Sequence, residues 1–150
     1  MAITAGQKLT ASRLNIRTCR ARRTTILSLT TGTLTPVSFD VNDFDNSSLF
    51  TAGGTLITLP VAGHWGFSAY GGFASNATGQ RRVLVEIGTS GVYPGRDARP
   101  AVSGDLTHAT CSGSYVASAG DQLRMVVHQT SGGALNLAAD AYFSVWYIAS

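Results

Sequence analysis

The stretch WGFSAYGG, residues 65–72, indicates the fold class of this chain. Trp65, Phe67 and Ala69 alternate along it with small or polar residues. A period of two is typical of a β-strand that buries one face, because successive side chains point to opposite sides of a sheet. The two glycines that end the stretch mark a bulge or a kink. The stretch therefore predicts a half-buried strand.

Similar strands are predicted on both sides of this stretch, separated by turn signals. They cover residues 24–29, 36–39, 55–59, 82–87, 107–116, 123–128, 135–137 and 141–148. Many short strands at regular spacing predict an all-β fold, an antiparallel jelly-roll sandwich. The last strand is apolar on both faces, so we expect it at the centre of a sheet or at a subunit interface. The residues expected in core or subunit packing are Trp65, Phe67, Tyr142, Phe143 and Trp146.

Charged residues make up only 13% of the 150 residues, about half the usual share of a globular domain. A single domain of this length with 44% hydrophobic residues has enough apolar surface to form a core. The sparse charge predicts that part of the surface is buried against copies of the chain or against a larger assembly. The alternative is a neutral surface of Thr, Ser and Asn side chains that stays in water.

The charges that are present are distributed unevenly. Residues 1–23 hold six of the eleven basic residues and no acidic residue, whereas the rest of the chain holds five arginines and all eight acidic residues. We therefore divide the chain into a basic anchoring arm, 1–23, and a jelly-roll domain, 24–150. Because the basic excess is confined to the arm, the sequence does not favour a nucleic-acid-binding groove on the domain.

The arm contains one helix signal. Thr10 is a good N-cap, and Leu9 and Leu14 have the spacing of a hydrophobic staple. A short helix or an extended arm that becomes ordered on docking is expected, and the alternative is a disordered tail. The residues expected to anchor the arm on its partner are Leu9, Arg13, Leu14, Ile16, Arg17 and Arg20.

No catalytic constellation is expected in this sequence. His64, His108 and His128 are far apart and lack carboxylates at metal-ligand spacing. The only glutamate is Glu86, which argues against a glycosidase that needs paired carboxylates. We therefore expect a protein that is not an enzyme and that has no cofactor and no catalytic or metal-binding residues.

The acidic residues Asp40, Asp43 and Asp45 alternate within a short segment. Such a segment offers the oxygen ligands that Ca²⁺ prefers. The alternative, which we favour, is an acidic loop whose carboxylates form Asx turns.

The two cysteines, Cys19 and Cys111, are expected to be free thiols, because two cysteines so far apart do not form a disulfide framework.

Other signals concern the location of the protein. The first residues lack the apolar segment of a signal peptide, and no stretch is apolar for the roughly 20 residues of a membrane span. We expect neither export by the general secretory route nor membrane insertion.

The body of the chain resembles the C1q/TNF-like trimeric jelly roll, and the resemblance covers most of residues 35–148. The matching segments are VSFD at 37–40, Phe50, PVAGHWGF at 60–67, Arg81-Arg82, AGDQL at 119–123 and the aromatic last strand around Phe143. Trp65 stands where the family usually has Tyr. The family often ends with Phe-x-Gly-x-Leu-Leu, and the segment Phe143-Ser144-Val145-Trp146 lacks that Gly. The resemblance implies a homotrimer.

Residues 3–15, ITAGQKLTASRLN, resemble the opening of many virion proteins of tailed bacteriophages. That resemblance implies a structural virion surface protein, a head decoration or a minor tail or fibre protein. Its partners would be other virion proteins, met in the host cytoplasm where virions assemble. The alternative is a receptor- or carbohydrate-binding module for host adsorption, with Tyr93 in a loop where it could stack on a host surface glycan.

Overall fold

A computed structural model describes residues 17–149 and shows two antiparallel β-sheets stacked face to face. Every strand pairing is antiparallel, and no helix occurs within this range. The strands are β1 Thr18–Arg22, β2 Leu27–Leu29, β3 Thr35–Pro36, β4 Val41–Asp45, β5 Ile57–Thr58, β6 Gly63–Phe73, β7 Gln80–Ile87, β8 Gly95–Pro100, β9 Thr107–Ala117, β10 Gln122–Gln129, β11 Leu135–Leu137 and β12 Tyr142–Ala149. The all-β sandwich expected from the alternation is confirmed.

The first sheet has seven strands, in the order β2-β11-β6-β12-β1-β4, with β9 on the other edge of β6. The long strand β6 pairs along its whole length with β9 and along most of it with β12. The last strand of the chain therefore lies inside the sheet, as its apolar sequence predicts. The second sheet has five strands, in the order β3-β10-β7-β8, with β5 on β10.

The core lies between the two sheets and follows the alternation of the strands. Trp65, Phe67 and Phe143 are fully buried there against Leu123 and Met125 of the second sheet's strand β10. Truncating a buried aromatic side chain of this kind typically costs about 3–5 kcal/mol of stability.

Two glycines make room for the ring of Phe67. A Cβ atom at Gly95 would lie 2.5 Å from Phe67 Cε2, and one at Gly113 would lie 2.7 Å from Phe67 Cζ. Both distances are too short for carbon atoms in contact, so these two positions require glycine while the Phe67 ring stays where it is.

The end of the expected arm belongs to the first sheet. Strand β1 lies between β12 and β4, and its residues Cys19 and Ala21 are fully buried. The expected helix therefore does not extend into residues 18–22. Of the expected anchoring residues, Leu9, Arg13, Leu14 and Ile16 lie outside the described residues, whereas Arg17 and Arg20 lie at the start of the fold.

Both cysteines are free thiols inside the sandwich, Cys19 on β1 and Cys111 on β9. Burial raises the pKa of each thiol to about 12, and the charge of Asp45 or Asp97 adds to the effect. A thiol with such a pKa stays protonated at neutral pH, so both residues behave as small apolar core residues.

The pair Arg81-Arg82 is divided between the two faces of β7. Arg81 is fully buried and donates hydrogen bonds to the carbonyls of Asn76, Thr78 and Gln80. It thereby holds the loop before β7, and burial lowers the pKa of its guanidinium. Arg82 points outward and is exposed.

Candidate assembly surface

The outer face of the first sheet carries the most distinctive surface of the molecule. Strands β9, β6 and β12 lie side by side there, and alternate residues of each point away from the core. The outward residues are His64, Gly66, Ser68, Tyr70, Gly72, His108, Thr110, Ser112, Ser114, Val116, Tyr142, Ser144, Trp146 and Ile148. We call this set the assembly face. Within these three strands, all inside the described range, no outward residue is Asp, Glu, Lys or Arg.

Four side chains stack in a line across the assembly face and the neighbouring strand β1. The Arg20 guanidinium carbon lies 4.0 Å from the ring centroid of Tyr142, which is stacked on Tyr70 with centroids 5.4 Å apart. Tyr70 is stacked in turn on His108 at 5.8 Å. The line, here called the ladder, thus connects β1, β12, β6 and β9, and each contact joins side chains on adjacent strands.

Polar contacts fix the two ends of the ladder. A hydrogen bond of 2.8 Å joins the Tyr70 hydroxyl to His108 Nδ1, and Arg20 Nε lies 3.4 Å from Asp43 Oδ2. Burial raises the pKa of the Tyr70 hydroxyl, and the charge of Asp140 raises it further, so the hydroxyl stays neutral at physiological pH. The ladder is therefore a set of flat rings in fixed orientation, with one cation at its edge.

Trp146 covers the backbone of β6. A Cβ atom at Gly66 would lie 2.3 Å from Trp146 Cε2, so the indole occupies the space that any larger residue at position 66 would need. The indole itself remains 39% exposed. Beyond it, the serines Ser144, Ser68 and Ser112 form a row across three strands. The assembly face therefore combines exposed aromatic rings with a flat row of small side chains.

The structure divides the five residues expected in core or subunit packing into two groups. Trp65, Phe67 and Phe143 belong to the core, whereas Tyr142 and Trp146 belong to the assembly face. The sequence alone does not predict that Tyr70 and His108 are partners of Tyr142. Alternation places each on an outward face, but only the order of the strands brings them together.

The expected anchoring residues that the structure describes take part in the first sheet. Arg20 belongs to the ladder. The carbonyl of Arg17 accepts a 2.8 Å hydrogen bond from the amide of Tyr147, which extends the pairing of β1 with β12. These two arginines are therefore next to the assembly face.

The three alternating aspartates have separate local partners. Asp40 accepts hydrogen bonds from the amide and the hydroxyl of Thr24, and the hydroxyl bond lowers the pKa of Asp40. Asp43 forms ion pairs with arginines of β1. Asp45 accepts from the amide of Ser47 in an Asx turn and from two further amides of the same loop. The expected acidic loop is thus only partly correct: Asp45 forms an Asx turn, but Asp43 and Asp45 lie on strand β4.

The histidines are dispersed in the fold. His64 is exposed on β6, His108 belongs to the ladder, and His128 is half-buried on β10. Among residues 17–149, no three His, Cys, Asp or Glu side chains meet in a group that could hold a metal ion. None of the described residues belongs to a helix that could cross a membrane.

Solved structures with a fold similar to this sandwich exist, although their sequences differ from it. No family model and no curated protein matches the sequence. Murine APRIL matches with a TM-score of 0.68 at 12% identity, over 89% of this chain and 100% of that chain. The fold is C1q/TNF-like.

Two further solved structures support this C1q/TNF-like assignment. The Eiger TNF of S. frugiperda matches with a TM-score of 0.62 at 10% identity, over 90% of this chain and 94% of that chain. The globular domain of the zebrafish complement 1qA protein matches with a TM-score of 0.56 at 16% identity, over 88% and 97%. The expected C1q/TNF-like jelly roll is thus confirmed as a fold.

Proposed function

We propose that this C1q/TNF-like domain is a non-catalytic structural protein that assembles as a homotrimer through the assembly face. The observation that carries the proposal is the absence of charged side chains from the outward positions of β6, β9 and β12, together with the exposed ring of Trp146 and the half-buried ring of Tyr142. Interface centres are depleted of charge and enriched in aromatic residues.

A symmetric assembly explains why the charge is missing from this face. Near the axis of a closed ring, identical residues of neighbouring copies approach each other. A charged residue there would meet its own copy and would be repelled and desolvated. A face of Ser, Thr, Gly and aromatic residues avoids this repulsion, so the occupants that fit it best are further copies of the same chain.

We further propose that the trimer is displayed on the surface of a tailed-bacteriophage virion, as a head decoration or a minor tail or fibre protein. The support is the resemblance of residues 3–15 to the opening of such virion proteins. Because β1 is part of the sheet, the anchoring function would rest on residues before 17, with Leu9 and Leu14 as the apolar contacts and Arg13 as a cation for an acidic partner.

Truncation tests the anchoring role separately from folding. A variant that lacks residues 1–16 keeps β1 and should form the same trimer as the full chain in native mass spectrometry, but it should not be incorporated into virions. A variant that lacks residues 1–23 also loses β1 and should not fold, because β4 then has no partner on the first sheet. Normal incorporation of the first variant would refute the anchoring role.

A second candidate role is adsorption to a host glycan. If the assembly face is buried between copies, the outer face of the second sheet and the loop with the half-buried Tyr93 stay open to solvent. A glycan array with the intact trimer tests this role, because a purely structural protein should bind no glycan above background.

A further inference from the structure

The outer face of the second sheet contains a groove between β7 and β8. It has a volume of about 260 Å³ and is lined by Arg82, Leu84, Arg96, Asp97 and Ala98. We call it the arginine groove. In the register of the two strands, Arg82 is opposite Ala98 and Leu84 is opposite Arg96. The two arginines therefore stand at diagonal corners, and the short side chain of Ala98 leaves space between them.

The positive charge of the arginine groove is not neutralised by the residues around it. Arg82 donates a hydrogen bond to the neutral amide oxygen of Gln80, and among residues 17–149 no carboxylate forms an ion pair with Arg82 or Arg96. An exposed guanidinium pair of this kind favours an anion, because each fork can bind a carboxylate or a sulfate with two hydrogen bonds.

The carboxylates nearest to the groove are already occupied. Asp97 pairs with Arg99 at 2.8 Å and accepts a further hydrogen bond from the amide of Thr110. Glu86 pairs with Arg124 at 2.7 Å and accepts a hydrogen bond from the amide of Gly91. Neither is free to close the groove by pairing with its arginines.

The volume of the arginine groove and the apolar residues at its base limit which anionic ligands fit. Its volume is below the range of about 300–1,000 Å³ that is usual for drug-sized ligands, so it fits one small ring rather than an extended molecule. Leu84 and Ala98 give it an apolar floor on which the C–H face of a sugar can rest. Two arginines without an ion-pair partner are also too few for a nucleic-acid-binding surface, which typically makes about six to ten phosphate contacts.

We propose that the arginine groove binds a single acidic sugar, with Arg82 and Arg96 holding its carboxylate and Leu84 and Ala98 supporting its ring. This proposal gives a site and a ligand class to the second candidate role above. The binding itself does not depend on trimer formation or on a virion location, so it can fail or succeed independently of them.

An NMR titration of the isotope-labelled full chain tests the proposal, with glucuronate as the probe and glucose and acetate as matched controls. Glucuronate should shift the amides of residues 82–84 and 96–98, and the other two compounds should bind more weakly. The substitution Arg96→Gln should raise the dissociation constant for glucuronate at least about tenfold, because it removes one charged hydrogen-bonding partner. Ala98→Glu should block binding, since its carboxylate would pair with the arginines.

Arg22→Gln is the control for net charge. It removes one arginine from the other sheet and should change the dissociation constant for glucuronate by less than about twofold, because distant exposed charges are screened. Equal binding of acetate would mean an adventitious ion only and would overturn the proposal. Equal binding of glucose, shifts outside the groove, or unchanged binding by the Arg96→Gln variant would overturn it as well.

Discussion

Three neighbouring strands of each sheet differ in the charge that they carry on the outer face. The outward residues of β6, β9 and β12 include no charged side chain, whereas those of β7, β8 and β10 include Arg82, Glu86, Arg96 and Arg124. Both faces follow the same alternation of buried and outward residues. The outward positions without charge are therefore grouped on β6, β9 and β12, next to the charged strands β1 and β4 of the same sheet. Self-association through the assembly face would require such a group.

The largest change in the stability of the trimer should come from a carboxylate placed on the assembly face. Ser68→Glu introduces a charge in the middle of the serine row of the assembly face, where copies would have to bury it. Like charges brought together at an interface cost several kcal/mol, so the dissociation constant of the trimer should rise at least about a hundredfold. Sedimentation velocity of the variant at micromolar concentration should show monomers.

Ala98→Glu is the matched control for that substitution. It introduces the same charge on the exposed face of the second sheet and should leave the trimer intact while it blocks the arginine groove. Monomers for both variants would mean that charge in general disrupts the assembly. Trimers for both would show that the assembly face is not the interface.

A smaller effect is expected from one methyl group under Trp146. In Gly66→Ala the new Cβ would lie 2.3 Å from Trp146 Cε2, so the indole has to leave its position on β6. Shape changes of this size typically cost about 1–3 kcal/mol. Because Trp146 is on the surface, we expect the cost to reduce mainly the free energy of trimer formation. The fluorescence of Trp146 should change, while that of the buried Trp65 should not.

Gly72→Ala provides the control on the same strand and the same face. A Cβ atom there lies 3.4 Å from His108 Nδ1, an acceptable contact, so the trimer should keep its stability. If Gly66→Ala behaves like this control, the packing of Trp146 does not contribute to assembly.

The sequence predicts the class of the fold because alternation is a local property. Trp65, Phe67 and Phe143 can be assigned to a core from their spacing alone, and the C1q/TNF-like resemblance orders the strands. The sequence does not predict the strand β1, because its local pattern is weak. The five residues of β1, Thr18–Arg22, include two arginines and only two buried residues, and their pairing with β12 and β4 is visible only in the folded chain.

The two surface sites depend on which strands become neighbours. Tyr70, His108 and Tyr142 are far apart in sequence, and the ladder forms only because β6 lies between β9 and β12. The arginine groove depends in the same way on the register that places Ala98 opposite Arg82. A shift of one residue would turn these side chains to the other face, so patterns along the sequence predict the faces but not the contacts across strands.

Oxidative footprinting of the full chain at two concentrations tests most directly which face the assembly buries. In a single chain the side chain of Trp146 on the assembly face is 39% exposed, and that of Val92 in the loop between β7 and β8 is 54% exposed. We predict that Trp146 is protected where trimers form and becomes reactive on dilution to monomers, while Val92 reacts equally at both concentrations. Equal reactivity of Trp146 in trimers and monomers would contradict the proposed assembly.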